Sequence, residues 1–330
     1  MSREHVADLA GVPVGRAYPV AVMGVINVSP ESFHAGSVRR DADVLATALA
    51  MVEAGAALID VGARSTAPYL ATEITPSEEA SRLGRAIERL AAKLPVPISA
   101  DTCRSEPARV ALEAGARVIN DVSTLRDPGV AHLVAQHSAS LVLMAAAPVG
   151  DGRRAGGRGG RRPQGRSVDR LTQDLRSAAR ADVGREMGRR PPRPPARRPS
   201  PAPVVIIRKI LAEGLRRARV ANIPQRRIVV DPGIGFFRDE RQPWDQWDAA
   251  VLVGLASLRS LGRPVCLGVS RKSFIGAILD APDTADRLAG SLAATAIAVV
   301  NGAAVIRTHD VAETRDVVRV AERLRRGVPR

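Results

Sequence analysis

Eight short apolar runs recur along the chain, and each ends in a polar or glycine-containing turn followed by a helical pattern. The runs are VAVMGVIN (20–27), AALIDV (56–61), VPISAD (96–101), RVINDV (117–122), ASLVLMA (139–145), RIVVDPG (227–233), PVCLGVS (264–270) and AAVIRTHD (303–310). Near-continuous apolar strands that alternate with helices indicate a parallel sheet buried on both faces. Eight such units favour a closed (β/α)8 TIM barrel, an α/β fold, over an open doubly wound sheet.

Amphipathic spacing fills the gaps between the runs. One predicted helical face carries Leu83, Ile87, Leu90 and Leu94, and a second carries Val44, Leu45, Ala48, Leu49 and Val52. Ser77 with Glu78 and Glu79 is a start signal for the first of these helices, and Gly55 is a stop signal for the second. With 330 residues, 45% of them hydrophobic, the chain can bury one large core, so we predict a single barrel domain over residues 1–330.

Residues 148–203 interrupt the pattern after the fifth barrel strand. They begin with a Gly/Arg-rich stretch and end with seven prolines in positions 191–203, a composition that cannot bury a core. We therefore predict a disordered insert at 148–203, with the helix of this unit displaced to about 204–222. Residues 150–203 also carry 15 Arg against 5 Asp and Glu, so they hold +10 of the formal net charge of +15. The charge is thus concentrated in the insert, and nucleic acid is not the expected partner.

The thiol content and the apolar segments bear on the compartment. Cys103 and Cys266 are the only cysteines and lie far apart, which predicts two reduced, buried thiols in a cytoplasmic protein. No uncharged apolar stretch of about 18 residues is present, so we expect no membrane span. The opening MSREHVADLAG lacks the basic and apolar regions of a secretory signal.

Polar residues mark seven of the eight predicted strand ends. They are Asn27, the GARST turn (62–66), Asp101, Asn120 with Asp121, Asp231, the Ser270–Lys272 segment and the Arg307–Asp310 segment, whereas the fifth end reads MAAAP. Catalytic groups of TIM barrels lie at the carboxyl ends of the strands. Burying these groups unpaired would be costly, so we expect them to meet one another or a ligand.

The types of these side chains restrict the ligand. The acceptors Asp101, Asn120 and Asp231 face the cations Lys272 and Arg307. This set suits a planar heterocycle with a donor–donor edge and a carbonyl group, because a carboxylate takes two neighbouring N–H groups in a two-bond fork. Lys272 would donate to the carbonyl and a ring nitrogen, and Arg307 can stack on the ring while its fork grips an anion.

The motifs in combination resemble those of a known family. MGVINVSPESF, LIDVGARST, SADT, EAGARVINDVS, VVDPGIGF, SRKSFIG and RTHDV occur in the order typical of the dihydropteroate synthases, a family of pterin-binding barrels. The resemblance extends over about residues 20–147 and 227–320. It implies the folate-biosynthetic reaction in which a dihydropterin carrying a CH₂-pyrophosphate condenses with p-aminobenzoate and releases pyrophosphate. It also implies Mg²⁺ as a cofactor and a homodimer.

The resemblance assigns roles to residues that match its motifs. Asp101, Lys272 and Arg307 are the candidate catalytic residues. Asn27 would bind Mg²⁺ or pyrophosphate, Thr66 would lie near the diphosphate, and Asp101, Asn120, Asp231 and Lys272 would hold the pterin, with Asp101 stabilising its positive charge. Ser273 would receive the p-aminobenzoate carboxylate, and Arg307 and His309 would bind the leaving pyrophosphate. Met144 would pack on the ring, although a core methionine explains it equally well.

The second loop departs from the family pattern, which usually reads Gly-Glu-Ser-Thr-Arg-Pro. Here Arg64 stands in the acidic position and Ala67 where the family has Arg. Arg64 could substitute from a different angle or be solvated. Two alternatives to a synthase stay open. The first, which Ala67 favours, is another pterin-binding barrel: a paralogue without synthase activity or a pterin- or folate-dependent methyltransferase. The second is an RNA- or partner-binding protein that uses the Gly/Arg segment.

Overall fold

Eight parallel strands form a closed barrel in the computed structural model, which describes residues 5–29, 41–64, 74–147, 202–237 and 243–326. In chain order the strands are β1 (Val6–Leu9), β2 (Val12–Gly15), β3 (Ala21–Asn27), β4 (Leu58–Gly62), β5 (Ile98–Asp101), β6 (Val118–Asp121), β7 (Ser140–Met144), β8 (Ile228–Asp231), β9 (Val265–Gly268) and β10 (Ala303–Thr308). The last eight follow one another around the barrel, and β10 pairs with β3 to close it. The prediction of a (β/α)8 barrel from eight apolar runs is confirmed.

Helices connect the barrel strands. They are α1 (Asp41–Glu53), α2 (Pro76–Ala91), α3 (Ser105–Glu113), α4 (Pro128–Gln136), α5 (Pro203–Val220), α6 (Trp244–Val253), α7 (Ser273–Leu279), α8 (Leu288–Val300) and α9 (Val311–Arg326), with short 3₁₀ turns at Gln225–Arg227, Leu255–Leu261 and Ala285–Arg287. Thr75 and Asp127 begin α2 and α4, because their side chains accept the backbone N–H groups of Glu78 and Gly129. None of the described helices is both long and apolar enough to cross a membrane.

Helix α5 lies where the displaced helix was predicted, and Pro203 is its first residue. The predicted insert at 148–203 therefore extends one residue too far. Its residues up to Pro201 lie outside the described part of the chain, so the disorder predicted for them stays a prediction.

The helical faces follow the predicted pattern with two exceptions. Leu83, Ile87 and Leu90 of α2 are completely buried, whereas Leu94 lies beyond the end of that helix. Leu49 of α1 was assigned to the core face, but 43% of it is exposed. The wrong prediction arises because a leucine at the margin of an apolar stripe fits a helical period without being covered by the barrel.

An amino-terminal hairpin, absent from the sequence prediction, closes one end of the barrel. Strands β1 and β2 pair antiparallel, and Ala7, Leu9 and Val14 join the cluster that fills the barrel interior. The Ser140 hydroxyl fastens the hairpin, because it accepts the Ala10 N–H at 3.1 Å and donates to the Asp8 carbonyl at 2.8 Å. The barrel interior is thus sealed at the amino ends of the strands, and a ligand can reach the interior only from the carboxyl ends.

Candidate functional site

Four residues form one row across the carboxyl ends of neighbouring strands. The strand register aligns Asn27 with Gly62, Gly62 with Asp101 and Asp101 with Asn120. Gly62 leaves a gap in this row, because a Cβ built there would lie 3.2 Å from the Asn27 amide oxygen and 3.8 Å from Asp101 Oδ2. The missing side chain therefore leaves the oxygens of Asn27 and Asp101 facing a common space.

Arg307 lies below this row and joins two carboxylates. Its Nε lies 2.6 Å from Asp60 Oδ2, and its Nη2 lies 2.7 Å from Asp101 Oδ2. The Asn120 amide donates to the same Asp60 oxygen at 3.1 Å. The second oxygens, Asp60 Oδ1 and Asp101 Oδ1, are buried without a hydrogen-bond partner within the described structure. Unpaired buried acceptors are costly, so Asp101, which keeps 8% of its surface exposed, is suited to a ligand that brings an N–H donor.

The opposite wall of the cavity is built by the turn after β8 and the start of α7. Asp231 accepts the Gly233 N–H at 2.7 Å, and the Lys272 ammonium lies 4.6 Å from the centre of the Phe236 ring. A Cβ on Gly233 would lie 2.4 Å from the Ala145 carbonyl oxygen, and this glycine has φ +71°. Only glycine allows the turn to come this close to the end of β7, and the same turn carries Phe236, on whose ring the Lys272 ammonium rests.

These walls enclose one cavity, which brings together most of the predicted site residues. Its lining includes Asp101, Asn120, Met144, Asp231, Lys272 and Arg307. Met144 is nearly fully buried at the end of β7 and still lines the cavity, so its two predicted roles, core and ligand contact, are both compatible with its position.

Two carboxyl groups of the cavity have perturbed acidities. Burial raises the pKa of the Asp101 carboxyl to about 7, while Arg307 opposes the shift and the Asp60 carboxylate adds to it. Burial also raises the pKa of Asp231 to about 6, against the Gly233 hydrogen bond and the charge of Lys272. Burial outweighs the ion pair of Asp101, because one guanidinium is shared between two carboxylates. Both groups can therefore change protonation near neutral pH.

Four predicted site residues are not part of this lining: Asn27, which faces the gap at Gly62, and Thr66, Ser273 and His309. Ser273 begins α7 directly after Lys272, and His309 follows β10, where its Nδ1 lies 3.0 Å from the Ser270 hydroxyl. Arg271 pairs bidentately with Asp310 at 2.7 and 3.0 Å, which ties the two loops together. Thr66 lies outside the described residues, and so does Ala67.

Arg64 of the second loop is held in a buried ion-pair cluster. Its Nε lies 3.3 Å from Glu79 Oε2, its Nη2 lies 3.6 Å from Cys103 Sγ, and its side chain is 17% exposed. Glu79 is 1% exposed and also binds Arg104 Nη1 at 3.1 Å and the Thr102 hydroxyl at 2.6 Å. The alternative of a solvated Arg64 is therefore wrong. The sequence analysis took Glu79 only as a helix-start signal, but its buried carboxylate also joins the second and third loops.

Sequence reasoning missed Asp60 and Phe236. Asp60 is fully buried within β4, so a carboxylate inside an otherwise apolar run was the available signal. Phe236 gave no such signal, since a phenylalanine after Asp-Pro-Gly suits a core position as well as a cavity wall. The prediction of two reduced, buried thiols is confirmed in part: both cysteines are free, but Cys266 is buried and Cys103 is only partly buried.

The side chains near Asn27 offer few ligands for a divalent cation. Within the described residues no three His, Cys, Asp or Glu side chains come together as a metal site. The Asn27 amide oxygen faces the gap at Gly62 beside Asp101 Oδ2. One amide oxygen near one carboxylate suits Mg²⁺, which keeps several waters and binds substrate phosphates.

Known proteins are similar to this chain in sequence and fold. The model of the pterin binding enzyme family matches residues 23–309. A dihydropteroate synthase of Synechocystis sp. is 33% identical over 92% of this chain and 89% of its own length. The dihydropteroate synthase of Xanthomonas albilineans, solved with 4-aminobenzoic acid, superposes with a TM-score of 0.74 at 32% identity and covers 99% of this chain and 100% of its own. The same enzyme solved with 7,8-dihydropteroate gives a TM-score of 0.71 at 30% identity over 98% of this chain and 100% of its own.

Proposed function

This chain belongs to the dihydropteroate synthase family of pterin-binding enzymes, and we propose that it condenses 6-hydroxymethyl-7,8-dihydropterin pyrophosphate with p-aminobenzoate in folate biosynthesis. The observation that carries the proposal is the single cavity into which acceptors from three strands and two cations converge. The Xanthomonas albilineans enzyme was solved with 4-aminobenzoic acid and with 7,8-dihydropteroate, the second substrate and the product of this reaction.

The pterin ring matches the acceptors of the cavity. Its aminopyrimidine edge offers neighbouring N–H and NH₂ donors, which the carboxylate of Asp231 can accept as a pair. Asn120 can supply a further contact, and Lys272 can donate to the ring carbonyl from its position over Phe236. Met144 would then cover one face of the ring.

The reaction breaks the C–O bond to pyrophosphate and forms a C–N bond between the same CH₂ and the p-aminobenzoate nitrogen, which loses its proton. Positive charge develops on the pterin as the anion leaves. We assign ionised Asp101 to the stabilisation of that charge, and its 2.7 Å ion pair with Arg307, which orients the carboxylate, supports this assignment. We assign Arg307 and His309 to the leaving pyrophosphate and Ser273 to the p-aminobenzoate carboxylate, as the family motifs imply.

We further propose Mg²⁺ as the cofactor, with Asn27 as its protein ligand. When bound, the ion neutralises the charge on the leaving pyrophosphate. The Asn27 oxygen beside the gap at Gly62 supports this assignment.

We also propose a homodimer, supported by apolar side chains exposed on neighbouring helices. Ile278 and Leu279 of α7 and Ile297 and Val300 of α8 are between 47% and 63% exposed. Light scattering should give twice the chain mass for the wild type, and the mass of one chain for Ile297→Arg. A single-chain mass for the wild type would exclude the homodimer.

Pyrophosphate release tests the synthase. Purified protein is incubated with dihydropterin pyrophosphate, Mg²⁺ and p-aminobenzoate, and we expect release that needs both organic substrates and is lost in Lys272→Ala. If the wild type binds the pterin yet releases no pyrophosphate, the chain is a pterin-binding paralogue and the synthase proposal fails.

A further inference from the structure

A second cavity, of about 500 Å³, lies at the amino ends of the barrel strands, opposite the proposed active site. We call it the amino-end cavity. It is lined by Arg16, Arg259, Arg263, Arg325 and Arg326, together with His5 and backbone at the starts of β9 and β10. Catalytic groups of TIM barrels lie at the other end, so the reaction gives these arginines no role.

The positive charge of the amino-end cavity is poorly neutralised. None of its lining residues is acidic, and the one carboxylate that the described structure places against its arginines is Glu322. Glu322 lies 3.6 Å from Arg325 and 3.4 Å from Arg326, and it also accepts the Val20 N–H at 3.0 Å. This one carboxylate thus pairs with two of the five guanidinium groups.

Carbonyl groups orient three of the arginines without cancelling their charge. Arg263 donates to the Gln225 carbonyl at 2.6 Å, Arg325 to the Val299 carbonyl at 3.2 Å and Arg259 to the Asn301 carbonyl at 3.4 Å. Gly302 leaves room for this arrangement, since a Cβ there would lie 2.8 Å from Arg259 Nη2. The cations are therefore held near one another despite their mutual repulsion. Burial lowers the pKa of Arg325, and the neighbouring Arg326, Arg16 and Arg259 lower it further.

We propose that the amino-end cavity binds a small polyphosphate anion, such as a triphosphate group. Guanidinium groups bind phosphate oxygens in two-bond forks, and a concave basic surface concentrates anions. The volume falls within the range of small-ligand sites and exceeds what a single phosphate fills. No aromatic side chain lines the cavity, which favours a phosphate chain over single-stranded RNA, whose bases need stacking partners.

Calorimetric titration of the full chain with inorganic triphosphate tests the proposal. We expect saturable binding at about 0.15 M salt, weakened about tenfold by Arg259→Gln and by Arg16→Gln, because each removes charge-assisted hydrogen bonds. Arg109→Gln is the matched control, since Arg109 pairs with Glu113 on the surface of α3, and it should bind like the wild type. Thermal unfolding checks that each variant is folded.

Three results would overturn the proposal. One is the absence of saturable binding by the wild type at this salt concentration. The second is binding that Lys272→Ala weakens and Arg259→Gln leaves unchanged, which would place the anion at the carboxyl ends of the strands. The third is tighter binding of a ten-nucleotide single-stranded RNA that the same arginine variants abolish. No pterin or p-aminobenzoate is present, so the outcome is independent of the proposed synthase activity.

Discussion

Arg307 donates from Nε to Asp60 Oδ2 at 2.6 Å, and this contact connects the buried floor of the barrel to its candidate catalytic carboxylate. Asp60 is fully buried, and the second arm of the same guanidinium reaches Asp101. The orientation of Asp101 therefore depends, through Arg307, on the fully buried Asp60.

Asp60→Asn should reduce both stability and turnover. The change leaves Arg307 with one carboxylate instead of two, and breaking a buried pair costs about 3 kcal/mol. Misplacement of the guanidinium should lower kcat/KM roughly a hundredfold. Urea unfolding and steady-state kinetics measure the two effects.

Glu113→Gln is the control for that variant, because it removes a carboxylate from the exposed pair with Arg109. Its effect should stay within about 0.5 kcal/mol. Equal losses of unfolding free energy in Asp60→Asn and Glu113→Gln would show that the buried pair stabilises the protein no more than the exposed pair does.

The same Asp60→Asn variant should also shift the pH dependence of kcat/KM. Burial raises the pKa of Asp101 to about 7, and the Asp60 carboxylate contributes to the rise. If ionised Asp101 stabilises the pterin cation, kcat/KM should increase with pH through about 7 in the wild type. Removing the charge of Asp60 should move this midpoint to lower pH, and an unmoved midpoint would separate the pH dependence from Asp101.

Asp231 should make folding stability fall as the pH rises. Its folded-state pKa of about 6 exceeds the ordinary value of 3.8, so the folded protein holds a proton that the unfolded chain releases. Its contribution is complete below about pH 4 and is lost as the pH passes about 6, an effect on the order of 1–3 kcal/mol. Denaturant unfolding at several pH values should show this slope in the wild type and a flatter one in Asp231→Asn.

Glu79 and its neighbour Glu78 should respond differently to the same substitution. Glu79→Gln leaves Arg64 and Arg104 without their buried carboxylate and should cost about 1–3 kcal/mol. Glu78→Gln loses only a half-exposed pair with Arg82 and should cost less than about 0.5 kcal/mol. Thermal unfolding of both variants measures the difference, and similar midpoints would argue against the ion-pair cluster.

Gly233→Ala should destabilise the protein more than Gly11→Ala. Both glycines have positive φ, but a Cβ on Gly11 meets no atom within 4 Å, whereas one on Gly233 would lie 2.4 Å from the Ala145 carbonyl. Backbone strain alone costs about 1 kcal/mol in each case, and the clash should add about 1–3 kcal/mol. The difference between the unfolding free energies of Gly233→Ala and Gly11→Ala measures the cost of the contact between residue 233 and the Ala145 carbonyl.

The sequence by itself determined the barrel, because strand and helix periodicities are local and each apolar run carries its own signal. It also determined that Asp101, Asn120, Asp231, Lys272 and Arg307 would share one site, since the closed parallel barrel collects all its strand ends on one rim. These residues line one cavity in the structure. The helix after the insert was predicted for the same local reason.

Only the tertiary structure decided which charged groups pair. Arg307 contacts a residue 247 positions away and Arg64 meets Glu79 across a loop, and no local pattern encodes such distances. The hairpin of β1 and β2 shows the same limit, since two four-residue strands gain their stability from the barrel interior they cover. The five arginines of the amino-end cavity also come from separate segments, so their shared charge exists only once the barrel has closed.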